Sequence, residues 1–422
     1  MSSVVSRASR GQLSAVGVLI GCVGCVIITA SSVYTALKMG ALPWPTIFTS
    51  ITALVLLRAC GRTSLNEANI TQIIMSAGSM VAGGLAFTIP GIWMLGLSSE
   101  VDFLRMLGVA LAGTLLGLVC TALIRRRFVV ESDLAYPVGT AAAETLVASK
   151  VGGDTGRRLF GSMAFAGAWA VLRDVFHIIP SIIAQLPVPG VSFGIYCSPM
   201  MLSTGFLVGG AAVAFWFAGA FLGNLLLPVI GITSGAWDVA TADGIVKSLG
   251  MGLMMGSGLG VVLRDVLPQF VRMLRVTGRG VAASAADGRP ADAPAPERAG
   301  WAADITSRLD AGVLALLVAA AALVLCFGLG LGPVVAVAIV LLSFVTTLMS
   351  AQSVGQTGID PMEIFGLIVL LAVAVFSDID GVGLFFVAGT IAVACGLAGD
   401  VMSDFKTGHI LGTDPRAMWL GQ

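Results

Sequence analysis

Eleven apolar runs punctuate this chain, at residues 13–37, 41–57, 70–97, 104–124, 158–184, 203–229, 245–263, 309–329, 333–350, 362–377 and 384–399. Their lengths cluster around the roughly 20 residues that a helix needs to cross a ~30 Å hydrocarbon core. Backbone groups inside lipid find no water, so such runs close their hydrogen bonds within a helix. The fold class expected is all-α: a polytopic integral membrane protein of about ten to twelve transmembrane helices, some broken or re-entrant. Composition agrees, since 57% hydrophobic residues, 11% charged ones and a mean hydropathy of +0.98 lie outside the range of soluble domains. Formal net charge is zero and the basic residues sit between apolar runs, so nucleic acid is excluded as a partner. Seven scattered cysteines exclude a secreted disulfide scaffold. The first run, behind Arg7 and Arg10, is too long for a signal-peptide core and reads as a retained helix.

Basic residues set the expected orientation. Arg7/Arg10, Arg58/Arg62, Arg125 to Arg127, Arg157/Arg158, the cluster Arg264 to Arg308, and Lys406/Arg416 are assigned to the cytoplasm, with Glu100 and Asp102 outside. This puts the protein in the inner (plasma) membrane with a cytoplasmic N-terminus. Alternation then fails at 245–263, which would exit where Arg264, Arg272, Arg275 and Arg279 require the cytoplasm. Either 133–149 crosses as a broken helix or one glycine-rich run is re-entrant. Both repairs put irregular backbone at membrane depth, which is tolerated only inside protein or around a wet cavity. Residues 271–303, rich in Ala, Pro, Gly, Arg and Asp, read as a disordered cytoplasmic linker. The expected domains are thus an N-terminal bundle (1–270), this linker, and a second, incomplete bundle (304–422).

Most of the 54 glycines suit close helix packing in lipid. Where glycine meets polar residues, a substrate path is the alternative. Gln72, Ser76 and Gly78 interrupt the run 70–97 in this way, and Tyr136 stands at the break Tyr136-Pro137-x-Gly139. Gln352, Ser353, Gln356 and Thr357 interrupt the chain after 350, and Asp360-Pro361-x-Glu363 offers an N-cap, a first-turn proline and an acidic N3 residue for a new helix. These eight residues are the candidate substrate-binding set, against the plainer reading of packing and surface capping. A helix start inside the membrane would aim its positive end at an anionic group.

Ionisable groups at membrane depth are costly and usually functional. Glu144, with no basic residue nearer than Lys150, is the first candidate for a proton-titrating group, against a helix cap. Asp174 and His177, one helical turn apart beside Arg173, are the second, against a satisfied ion pair. Asp400 and Asp404 share a helix face with Lys406 beyond, and structural pairing at the membrane boundary is the role expected of them. Cys22 and Cys25 lie among Gly17, Gly21 and Gly24, a small-residue packing face more than a metal pair. The sequence holds no H-E-x-x-H, second C-x-x-C, Walker loop or G-x-S-x-G, and has two histidines in all. No enzymatic activity, resident metal or cofactor is expected.

Three stretches, read together, resemble the oligopeptide transporter (OPT) family with its yellow-stripe-like branch. They are Asn69-x-x-Gln72-x-x-x-Ser76-Ala77-Gly78, then Glu131-Ser132-Asp133-Leu134-Ala135-Tyr136-Pro137-x-Gly139-Thr140-Ala141, and Gly399-Asp400-x-Met402-x-Asp404-x-Lys406-Thr407-Gly408-x-x-x-Gly412. Asp414-Pro415-Arg416 and Gly421-Gln422 resemble the family's K-I-P-P-R region. The resemblance implies a proton-coupled symporter for oligopeptides or peptide-like metal chelates, with substrate, protons and the bilayer as partners and homo-oligomers allowed. The eukaryotic N-P-G motif is not seen, which points to a prokaryotic member. Family members continue with further apolar segments beyond the region matched by Gln422. The alternative is therefore a truncated chain without transport activity alone, at most an assembly partner. A passive channel is the third reading.

Overall fold

The structure, a computed structural model, describes residues 12–39, 42, 44–97, 99, 101–151, 153–188, 190–191, 193–208, 210–261, 264 and 311–422. The linker expected at 271–303 lies outside the described residues. The chain is all-α and polytopic. Six helices among the described residues are long and apolar enough to cross a membrane: Ala15–Leu37, Leu65–Met94, Phe103–Val130, Val213–Thr233, Pro333–Thr357 and Gly381–Leu411. Shorter apolar helices lie at Thr46–Ala59, Gly312–Gly328 and Met362–Phe376.

Contacts divide the chain into two compact units, one of residues 1–150 with 260–422 and one of 151–259. The first contains α1 (Ala15–Met39), α2 (Thr46–Ala59), α3 (Leu65–Thr88), the short α4 (Pro90–Met94), α5 (Phe103–Arg125, ending in the wider π-turn Arg126–Val130) and α6 (Pro137–Val151). The second contains α7 (Gly153–Asp174), the two-residue strands β1 (Ile182–Ile183) and β2 (Ile195–Tyr196), α8 (Pro199–Val208), α9 (Gly210–Phe221), α10 (Leu227–Thr233) and α11 (Val239–Val261). The first unit resumes with α12 (Ala311–Leu323), α13 (Pro333–Thr357), α14 (Met362–Phe376), α15 (Gly381–Leu411) and α16 (Pro415–Gly421).

Local chemistry explains the helix ends. Ser64, three residues before Glu67, accepts the Glu67 N–H and starts α3; Asp102, Asp380 and Asp414 accept the N–H groups of Arg105, Gly383 and Arg416 to start α5, α15 and α16. Gly358 and Gly412, at φ 74° and 75°, adopt the left-handed conformation that closes α13 and α15.

Three expectations change here. The run 158–184 is not one helix, because α7 ends at Asp174 and the chain turns into the β1–β2 hairpin, with Ile182 paired to Tyr196. The break after 350 falls later: α13 runs through Gln352, Ser353 and Gln356 to Thr357, since a polar run can stay helical where protein covers part of it. Asp360 does not cap the next helix, which starts at Met362 without a side-chain cap.

The first unit is organised around α15. Lipid tails are as apolar as leucine, so close backbone approach and internal polar bonds hold helices together there. The neighbours of α15 meet it with glycine: a Cβ at Gly84 of α3 would stand 2.7 Å from the Val393 nitrogen, at Gly113 of α5 2.7 Å from the Thr390 carbonyl oxygen, and at Gly366 of α14 2.9 Å from the Ala388 carbonyl oxygen. The glycines of α1 behave alike, with Gly21 and Gly24 seated on Ile74 and Met75 of α3. Trp419 of α16 donates from Nε1 to the Leu118 carbonyl of α5 at 2.9 Å.

Candidate functional site

Polar residues collect where α3 and α15 cross. Gln72, Ser76 and Asn69 on α3, and Asp400, Ser403, Asp404 and Thr407 on α15, are buried. Gln72 Nε2 donates to Asp404 Oδ1 at 3.0 Å and lies 3.4 Å from Ser76 Oγ. Ser76 Oγ donates to the Ile73 carbonyl. One turn earlier, Asn69 Nδ2 donates to Thr413 Oγ1 at 3.2 Å. In the preceding turn of α15, Asp400 accepts no hydrogen bond of ordinary geometry on either carboxylate oxygen among the described residues. The buried Thr46 hydroxyl at the start of α2 lies within reach of it.

Asp360, between α13 and α14, completes this group. Its Oδ1 lies 2.8 Å from Ser350 Oγ, and Ser350 Oγ also lies 3.0 Å from the Cys395 carbonyl. Its Oδ2 is shut from solvent and takes no hydrogen bond among the described residues. Gly399 makes room for it, since a Cβ there would stand 2.3 Å from Oδ2.

A second convergence joins the segment before α6 to α13 and α15. Tyr136, fully buried and at φ 44°, donates from its backbone N–H to the Gly355 carbonyl at 2.9 Å and from its hydroxyl to the Ala351 carbonyl at 3.1 Å. Burial pushes the Tyr136 phenol above its ordinary range, which keeps it a donor. Lys406 Nζ donates to the Leu134 carbonyl at 2.9 Å, and Thr407 Oγ1 to the Gly139 carbonyl at 2.8 Å.

The substrate candidates therefore fall into separate groups. Gln72 faces Asp404, with Ser76 beside it. Tyr136 meets the end of α13, where Gln352 and Ser353 are half-buried and Gln356 and Thr357 are exposed. Ser353 Oγ donates to the Ile359 carbonyl and Thr357 Oγ1 to the Ser353 carbonyl. Gly78 turns toward α1, against Thr29 and Cys25. Glu144 lies on the exposed face of α6. Asp174 and His177 belong to the second unit, where Arg173 binds Asp174 through two nitrogens at 3.0 and 2.7 Å and His177 Nδ1 lies 3.2 Å from the Arg173 carbonyl.

Asp400 and Asp404 depart most from expectation. The nearby Lys406 and Arg416 suggest a membrane boundary, yet α15 continues to Leu411 and buries both acids, and neither forms an ion pair among the described residues. The overlooked signal is Gly412 followed by Asp414-Pro415, a stop and a capped restart. It places the end of the preceding helix a full three turns beyond Ala398.

A buried polar seam inside an all-α, multi-pass bundle defines an integral membrane protein built around an interior polar core. The family model described as "OPT oligopeptide transporter protein" matches residues 12–422, nearly the whole chain. The chain belongs to the OPT family. It is also 31% identical over 140 residues to a Haemophilus influenzae protein named "Putative oligopeptide transporter". That stretch covers 33% of this chain and 22% of the relative, so the chain spans under a quarter of the length of the curated protein it matches.

Proposed function

We propose that this chain is a secondary active transporter that takes up oligopeptides across the inner (plasma) membrane in symport with protons, its N-terminus cytoplasmic. Peptide-like metal chelates are the second substrate class on this reading. The observation that carries it is the family match over 12–422, and the buried seam of Gln72, Ser76, Asp400 and Asp404 is what such a transporter needs at its centre. Gln72, Ser76 and Tyr136, with the end of α13 from Gln352 to Thr357, are the proposed substrate-contacting groups. Gly78 serves them by letting α1 approach α3. Glu144, Asp174 and His177 are the proposed titratable groups outside the seam.

The test is uptake of radiolabelled trialanine into proteoliposomes holding the purified chain, with the outside acidified. Accumulation that collapses with a protonophore supports symport. Uptake indifferent to the gradient makes the protein a passive channel. No uptake of any of a panel of tri- and tetrapeptides supports a chain that needs a second component. Glu144→Gln in the same vesicles tests that residue, since unchanged pH-driven uptake removes it from the coupling path.

A further inference from the structure

Asp360, Asp400 and Asp404 form a group of three carboxyls in the first unit: Asp400 and Asp404 are buried on one face of α15, and the half-buried Asp360 packs its Oδ2, shut from solvent, on Gly399. Among the described residues none of the three joins an ion pair. The unmet groups around them are almost all acceptors: Asp360 Oδ2, both Asp400 oxygens, Asp404 Oδ2 and Gln72 Oε1. The buried Thr46 hydroxyl lies close to Asp400 and, among the described residues, makes no hydrogen bond of ordinary geometry. Ser350 gives the sharpest indication. Its one hydroxyl hydrogen lies between two acceptors, Asp360 Oδ1 and the Cys395 carbonyl. Both contacts are satisfied together only when Asp360 brings a hydrogen of its own and donates to Ser350, which then donates to Cys395.

What this group lacks is positive hydrogen. Among the described residues no three His, Cys, Asp or Glu side chains stand close enough to hold a metal ion. Among the described residues the other charged and titratable groups on the packed elements form no ion pair with these three carboxyls. Glu67 of α3 pairs with Arg62, Arg125 of α5 lies over the Phe405 ring at 5.3 Å, and Lys406 of α15 binds the Leu134 carbonyl. Glu363 of α14 is a further carboxyl close to Asp360. Cys120 of α5 and Cys395 are buried thiols, His409 and Arg416 lie toward the end of α15 and on α16, and Arg126 and Arg127 lie on the π-turn with Glu131 just after it, Arg126 being bonded to Glu131.

We propose that Asp360, Asp400 and Asp404 are the proton-carrying site of the transport cycle, taking up protons from one side of the membrane as neutral carboxyls and releasing them to the other. Each step forms or breaks one carboxyl O–H bond, with water on either side as proton source or acceptor and no redox change. The proposal rests on the symport reading above. A neutral carboxyl moves through a low-dielectric interior far more cheaply than a carboxylate, which is how loading would permit the conformational change.

The test is infrared difference spectroscopy of the purified full chain in lipid, stepping pH, alongside trialanine uptake in proteoliposomes. The expected result is a pH-dependent band of neutral carboxylic acid that is diminished in Asp360→Asn, Asp400→Asn or Asp404→Asn. Uptake driven by the pH gradient should fall about a hundredfold in the same variants, the scale of a lost proton-transfer group. No titrating band in the wild type overturns the assignment, and that measurement does not depend on any variant folding. A band that persists in all three variants, is lost only in Glu144→Gln, or responds to sodium at fixed pH also overturns it. A wild-type protein that shows the band, loses it in the variants and transports no peptide upholds the carboxyls and overturns the symport reading instead.

Discussion

Two helical stretches of nearly equal hydropathy have opposite fates in this molecule. The most apolar 18-residue stretches of Gly381–Leu411 and Val213–Thr233 average 2.1 and 2.0, yet 83% of the first stretch is buried within protein and 6% of the second. Hydropathy reports that a segment prefers lipid to water and says nothing about whether it prefers protein to lipid. That second choice follows from polar side chains in register and from glycine on the partners. α15 carries Thr390, Asp400, Ser403, Asp404 and Thr407, all buried, and meets Gly84, Gly113 and Gly366. In 213–233 the aromatic rings Phe217 and Phe221 pack chiefly with each other and with Phe193, at centroid distances near 6.2 Å.

The largest effect that would break this contrast comes from the glycines. Gly84→Leu or Gly113→Leu drives a side chain into the backbone of α15 and should cost about 3 kcal/mol or more, seen as loss of a monodisperse peak in detergent. Gly219→Leu in α9, where a Cβ meets nothing within 4 Å, should stay within about 0.5 kcal/mol. Equal behaviour of the two sites would remove the basis of the comparison.

Next comes the seam. Gln72→Leu strips Asp404 of its donor and should lower stability by about 1–3 kcal/mol, read as a fall in melting temperature. The pair Gln72→Leu with Asp404→Leu should recover part of that loss, because two apolar groups leave no orphan. Additive losses would mean that the two side chains do not interact.

Tyr136→Phe deletes the hydroxyl bond to Ala351 while keeping the buried ring, and should cost about 1 kcal/mol in the same melting assay. Smallest is Lys247→Ala in α11, which breaks an exposed pair with Asp243 one turn away and should shift stability by at most about 0.5 kcal/mol.

The apolar runs were legible because hydrophobicity is local: 13–37, 104–124 and 333–350 all recur as helices near those bounds. The identity of the central helix was not, because its defining contacts join residues far apart, with Gln72 and Asp404 separated by 332 positions and Tyr136 and Ala351 by 215. Gln72 and Ser76 stood out as polar residues in an apolar run and do lie in the seam. Asp400 and Asp404 were seen, but their nearness to Lys406 and Arg416 suggested a water-facing boundary. Only the helix-ending geometry at Gly412 reverses that inference. The role of Asp360 was hidden for a different reason. Asp-Pro reads as a cap from local statistics, while Ser350 and the gap at Gly399 that claim it are tertiary.

The short segment from Leu134 to Gly139 has a mechanical meaning. It is riveted to α13 through both Tyr136 contacts and to α15 through Lys406 and Thr407. Four bonds in six residues weld two helices into a single stiff beam. Any rocking that exposes Asp400 and Asp404 first to one side of the membrane and then to the other must swing that beam as one piece. The sliding surfaces are then sought on its glycine-lined flanks against α3 and α5, of which the α3 flank also carries the Gln72–Asp404 bond.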